Sequence, residues 1–225
     1  MIRKLETAII YMPNIMIDGP VGQLEVLYTR SPKADAPLAI VMHPHPEHGG
    51  TMHNKVVYTM SKVFQDLGFH VVRFNFRGVG KSDGNFDFGA GELQDALVVY
   101  DWFRSNNPAS KELWAAGFSF GSWVAMRLLM QREGIHRFVC AGPPASVYDF
   151  SFLAPCPCAG VFIQGTFDEI VLPDGSFELA KNLSKQERID VPCIMIEGGD
   201  HFFTGRLDIF SESMKEYIKA NTESL

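Results

Sequence analysis

Cationic excess is the first thing this chain lacks: 20 Lys and Arg stand against 26 Asp and Glu, a formal charge of −6. Nucleic acids and anionic membranes are held through a basic footprint, so neither is expected as a partner. Long apolar runs are missing too. The strongest, Leu38 to Met42 and Val161 to Ile163, fall far short of the roughly 18 residues of a membrane-spanning helix, and a soluble protein is expected. Met1 to Glu6 brings an acidic residue early, with no apolar core ahead of a small-residue cleavage site, so the expected location is the cytoplasm. Cysteines are few: Cys140, Cys156, Cys158 and Cys193, mostly inside apolar segments. A chain of 225 residues buries enough surface without covalent staples, and these read as reduced structural thiols. Repeats, low-complexity tracts and long charge runs are absent, which leaves one domain over residues 1–225.

What is there is a packed globular composition, 46% hydrophobic and 20% charged. Short apolar runs alternate with Gly- and Pro-rich turns and with segments of helical periodicity, the pattern of βα units around a mostly parallel sheet. Leu24 to Thr29 alternates like an edge strand. Leu38 to Met42 is continuously apolar, like a central one. Apolar residues at Val56, Val57, Met60, Val63, Phe64 and Leu67 predict a helix over Asn54 to Leu67, ended by Gly68. Further strands are expected at Phe69–Asn75, Glu112–Ala116, Arg137–Ala141, Ala159–Gln164 and Pro192–Ile196. Helices are expected near Glu92–Arg104, Ser119–Gln131, Gly175–Leu183 and Leu207–Ala220. The sum is a three-layer α/β domain.

The apolar strand before residue 117 runs into Gly117-Phe118-Ser119-Phe120-Gly121, which opens a helix. This G-x-S-x-G lies in the strand–turn–helix context that gives it chemical meaning. A strand turning sharply into a helix strains the residue between them and leaves no room for side chains two positions either side. The result is an exposed hydroxyl on Ser119 at a helix start, with the Phe120 N–H aimed where an oxyanion would form. A serine that merely caps a helix is the plainer reading. A nucleophilic serine needs a base and an acid, and the C-terminal third supplies both. Asp168 follows the strand ending near Gln164, and His201 follows the strand ending near Ile196. In open parallel sheets the loops after strands converge on one site. His201 is also the one histidine beyond Asp168. Glu169 and Asp149 compete for the acid's place, but Asp149 has no glycine turn to present it. Asp200 reads as a turn former beside His201.

Residues 43–53 hold four of the seven histidines: His43, His45, His48 and His53. As the loop after an early core strand, this segment would supply a second oxyanion N–H, from His45. As a metal site, His43-x-His45-x-x-His48 imitates a di-zinc hydrolase string, with Glu47 in place of its Asp. That architecture wants two packed sheets and further ligands, against the alternation here. Arg77-Gly78-Val79-Gly80-Lys81-Ser82-Asp83-Gly84 comes near a dinucleotide fingerprint, but misses its spacing and opens no helix. Arg77 is expected to tie its loop to carbonyls or to a carboxylate beneath the site. Cys156-Pro157-Cys158 reads as core thiols.

Taken together, His43 to Pro46 with Gly49 to Met52, Arg77 to Gly84, Gly117 to Gly121, Asp168 and His201 resemble the α/β-hydrolase superfamily. The likeness is to its small bacterial single-domain members, similar to dienelactone hydrolase and acyl-peptidase cores, and it extends over about Leu38 to Phe203. It implies Ser119 as nucleophile, His201 as base and Asp168 as acid, with the N–H groups of His45 and Phe120 as oxyanion hole and no cofactor or metal. One departure is His43-Pro44 where the superfamily usually has His-Gly, which bears on the identity of the second donor. The segment after Ala141 is too short for a large lid. Its Val147, Tyr148, Phe150, Phe152 and Leu153 suggest a small acyl pocket, or a surface where two copies meet. The expected activity is hydrolysis of a small carboxylic ester, lactone or thioester. A non-catalytic binding protein on the same scaffold and a zinc hydrolase using His43, His45 and His48 are the alternatives.

Overall fold

A computed structural model describes residues 10–11, 14–186 and 189–222. Met1 to Glu6, on which the expectation of no export signal rests, lies outside them. Nine strands form one sheet: β1 (Ile10–Tyr11), β2 (Ile15–Gly19), β3 (Gly22–Arg30), β4 (Leu38–Met42), β5 (His70–Phe74), β6 (Leu113–Phe118), β7 (Arg137–Ala141), β8 (Gly160–Gly165) and β9 (Cys193–Ile196). Their order is β1-β3-β5-β4-β6-β7-β8-β9, with β2 paired to β3 beside β1. From β5 through β9 all neighbours are parallel, whereas β3 runs antiparallel to β1, β2 and β5. The expectation of an edge strand at Leu24–Thr29 is therefore corrected. A tight turn at Pro20–Val21 folds β2 back onto β3, so β3 has a partner on both sides and Leu24 to Thr29 are buried.

Five helices flank the sheet: α1 (Lys55–Asp66), α2 (Ala90–Ser105), α3 (Phe120–Leu129), α4 (Pro173–Leu183) and α5 (Leu207–Asn221). Period-two alternation divides the strands between two cores. Leu38, Ile40 and Met42 of β4 join Phe138, Cys140 and Phe162 under α2, α3 and α4. Ala39 and Val41 join Trp114, Phe118, Val139 and Ile163 under α1 and α5. Both faces are covered, which is why β4 and β6 read as unbroken apolar runs. Asn54 starts α1 by accepting from the N–H groups of Val56 and Val57 at 2.9 and 3.5 Å. Among the described residues, no helix is long and apolar enough to cross a membrane.

All the loops after β4, β6, β8 and β9 leave at the carboxyl end of the sheet. Residues 142–159 form neither helix nor strand. Their Phe150, Leu153 and Cys156 turn inward and join the core with Ala180 and Leu183 of α4. Phe150 and Leu153 also line a cavity of about 500 Å³ against α4, while Val147 is exposed.

Candidate active site

Ser119 stands between β6 and α3 at φ 53° and ψ −122°, a conformation L-residues seldom adopt and one that marks functional turns. The flanking glycines are required by close approach. A Cβ on Gly117 would overlap the Gly121 carbonyl, and one on Gly121 would overlap the Met42 and His43 carbonyls at the end of β4. Around this turn the Ser119 N–H donates to the Ala141 carbonyl at 2.8 Å. The fully buried Ser122 hydroxyl lies 3.0 Å from the carbonyls of both Gly117 and Ala141. Ser122 thus locks the turn, a role with no mark in the sequence beyond a small polar residue on an apolar helix face.

The loops after β8 and β9 meet over this serine. Nδ1 of His201 lies 2.7 Å from Asp168 Oδ2, and Nε2 lies 3.1 Å from Ser119 Oγ. Asp168 and His201 are buried and Ser119 is half-buried. Asp168 Oδ1 also accepts from the N–H groups of Ile170 and Val171 at 3.0 and 2.8 Å, and Oδ2 from Gln164 Nε2 at 2.9 Å. Burial pushes its carboxyl upward, but the hydrogen bonds from His201, the Val171 N–H and Gln164 outweigh it and hold Asp168 below the ordinary carboxylate range. An ionised carboxylate that accepts the Nδ1 proton leaves Nε2 as an acceptor facing the serine hydroxyl. Gln164 is itself held, its Oε1 accepting from Ser176 Oγ at 2.8 Å. Neither Gln164 nor Ser176 belongs to a sequence motif. The one available signal was a glutamine closing the apolar run of β8.

The other acids lie elsewhere. Glu169 is exposed. Asp149 is exposed too and takes the N–H and hydroxyl of Ser151. Asp200 shapes its turn by accepting from the N–H groups of Phe202 and Thr204 at 3.0 and 2.8 Å.

On the opposite side, the histidine loop divides by function. His43 is fully buried, and its Nε2 accepts the Phe76 N–H at 3.0 Å while Nδ1 bonds the Pro44 carbonyl at 2.7 Å. Burial lowers its pKa to about 4, so it is a neutral strut with both ring nitrogens engaged. His45 Nδ1 accepts from the Glu47 N–H at 3.2 Å, and its ring stacks on His48 at 4.4 Å between centroids. The three do not converge as ligands, and no group of three or more metal-binding side chains occurs among the described residues. This removes the donor set of the zinc reading. Among the described residues, neither the His45 N–H nor the Phe120 N–H has a protein acceptor. Arg77 grips the buried Asp95 through Nε and Nη2, at 3.0 and 2.7 Å, the carboxylate beneath the loop that its position called for. A cavity of about 680 Å³ opens at the amino ends of β6 to β8, lined by His136, Arg137 and Cys158. None of Ser119, Asp168 and His201 borders it.

Sheet order, nucleophile turn and converging loops together define an α/β hydrolase. Within that class, the pattern of the X-Pro dipeptidyl-peptidase (S15) family matches residues 18–159, and the chain belongs to this family. It is 44% identical over 211 residues to uncharacterized protein RP471 of Rickettsia prowazekii, spanning 92% of this chain and 89% of that one. The crystal structure of protein ATU1826 of Agrobacterium tumefaciens superposes with a TM-score of 0.90 at 43% identity, covering 94% of this chain and 98% of that chain. XC6422 of Xanthomonas campestris, an α/β serine hydrolase without lid, superposes at 0.85 with 35% identity, covering 100% and 99%. The expected three-layer fold with minimal lid is thereby established.

Proposed function

We propose that the chain hydrolyses carboxylic esters, lactones or thioesters through an acyl-enzyme on Ser119. The observation that carries this is the unbroken Asp168–His201–Ser119 line, at 2.7 and 3.1 Å, ending on a strained, half-exposed turn. His201 Nε2 takes the hydroxyl proton as Oγ attacks the carbonyl carbon, and Asp168 stabilises the imidazolium. The tetrahedral oxyanion is received by the N–H groups of Phe120 and His45. His201 then gives its proton to the leaving group, and water repeats the sequence on the acyl-enzyme. No step calls for a metal or an organic cofactor.

The family match supports a second reading, cleavage of a peptide amide, since the same three residues can protonate a leaving amine. Fluorophosphonate labelling with peptide mapping tests what both readings share. Ser119 should be modified in the native chain, and modification should vanish in Ser119→Ala and His201→Ala. A folded chain that takes no label is a non-catalytic scaffold. A panel of acetyl esters, lactones, thioesters and Xaa-Pro amides then separates the two reactions.

A further inference from the structure

The loop that carries Asp168 is built unlike the rest of the surface. Phe167, Ile170 and Leu172 are 67%, 60% and 59% exposed, while Asp168 and Val171 between them are buried. Phe177, in the second turn of the helix that follows, is half exposed as well. The patch is continued by its neighbours. The Phe167 N–H donates to Gly199 O at 2.8 Å and the Gly198 N–H to Thr166 Oγ1 at 2.9 Å, which seats this loop beside Phe202. Phe202 in turn lies 5.2 Å from the His201 ring. A Cβ on Gly175 would stand 3.2 Å from the Ser146 backbone nitrogen, which brings exposed Val147 to the first turn of α4. Exposed apolar side chains scattered singly are ordinary, but a contiguous set beside a reactive group marks a contact surface.

Charge narrows what can lie there. No Lys or Arg occurs from Gly142 to Ala180, and Glu169 and Asp174 are exposed along the ridge, whereas Glu178 is paired with Lys181 at 3.2 Å. An anionic ligand would be repelled, and an uncharged hydrocarbon loses nothing. A second copy seated on this ridge would cover the loops around Ser119, but a single chain leaves the hydroxyl open. We propose that the substrate is an ester bearing an uncharged, unbranched alkyl chain, which lies across the ridge of Val147, Phe167, Ile170, Leu172, Phe177 and Phe202 with its carbonyl at Ser119. This rests on the ester-hydrolase reading for the reaction, though the ridge itself can be measured without it.

The probes are neutral glyceryl ethers with butyl, hexyl and octyl chains, below their micellar concentrations. Titrated calorimetrically into Ser119→Ala, they should bind about twofold tighter per methylene, the gain for a methylene half removed from water. Val147→Ser and Phe177→Gln, both exposed positions outside the loop that carries Asp168, should each cut the octyl-over-butyl ratio severalfold. With the native chain the octyl ether should compete with fluorophosphonate labelling, and an octyl chain ending in carboxylate should bind more weakly than its neutral counterpart. Affinity independent of chain length overturns the proposal. So does an unchanged ratio in both ridge variants, or ether binding that leaves labelling untouched. A dimer in sedimentation that either variant dissolves also overturns it, because a second copy then holds the ridge. If the chain takes no fluorophosphonate while the ethers still bind by length, the hydrolase reading fails and the ridge survives.

Discussion

Two buried histidines at the same end of the sheet, His43 after β4 and His201 after β9, show how partners alone decide what an imidazole does. Both have their two ring nitrogens in hydrogen bonds, and both are almost excluded from water. His43 meets only backbone dipoles, a carbonyl and an N–H. Nothing there compensates a positive charge, and burial holds it neutral. His201 meets an ionised carboxylate on one side and a hydroxyl on the other. One loop is tied in place by its histidine, and the other carries the base that the proposed reaction needs.

The sharpest way to test that contrast is to remove each half of it. His201→Ala and Ser119→Ala should each lower kcat by about 10⁵ to 10⁶, because the members of such a line act as a unit. A residual rate within a hundredfold of the native chain would mean that another base serves the serine. Asp168→Asn should cost about 10⁴ in kcat with KM little changed, since an amide at that position lets the imidazole take the wrong tautomer. A near-native kcat there would place the orienting acid elsewhere.

Much of this arrangement was readable from residues. Five helices and the strands from β4 onward fall within a few positions of their periodic patterns. Gly117 and Gly121 declare themselves through the close backbone approach they serve, and Asp168 and His201 lie in line with Ser119 as their places after the strands predict. What could not be read has a common cause. The β2–β3 hairpin leaves little trace in the sequence because Ile15 to Gly19 is short, and an alternating strand reads the same whether or not another lies beside it. The work of His43 goes to backbone atoms, which carry no side-chain signature, so its spacing to His45 and His48 imitated a ligand set. Ser176 and Ser122 act through neighbours 12 and 19 positions away, and Gln164 reaches Asp168 only because the loop after β8 turns back, so these contacts exist only once the sheet has formed.

The His43 half of the contrast is tested by acid. Its pKa is about 4 in the fold and near 6.5 in the unfolded chain. Between those values the unfolded state binds the proton that the folded state refuses. His43 therefore contributes fully above about pH 6.5, loses that contribution as pH falls, and changes nothing further below about 4. The span amounts to about 3 kcal/mol. Urea titrations of the native chain and His43→Gln across pH 7 to 4 should show a shallower decline in the variant by about that amount. Parallel declines would mean that the imidazole charges inside the fold.

The smallest effect belongs to Gln164, whose amide lies behind the carboxylate. Gln164→Leu takes away one of the donors that hold Asp168 ionised, 2.9 Å from Oδ2, and leaves the Ser176 hydroxyl without its acceptor at Oε1. His201 and the N–H groups of Ile170 and Val171 remain in place, so the line itself survives. One neutral hydrogen bond to a charged group carries about 1.5 to 3 kcal/mol, but the other three donors take up part of that loss. The expected outcome is about a tenfold drop in kcat with labelling of Ser119 intact. The acid limb of the pH–rate profile should move upward, because Asp168 then protonates more easily. A fall in kcat with no movement of that limb would show that Gln164 only fills space, and that the backbone N–H groups alone keep Asp168 charged.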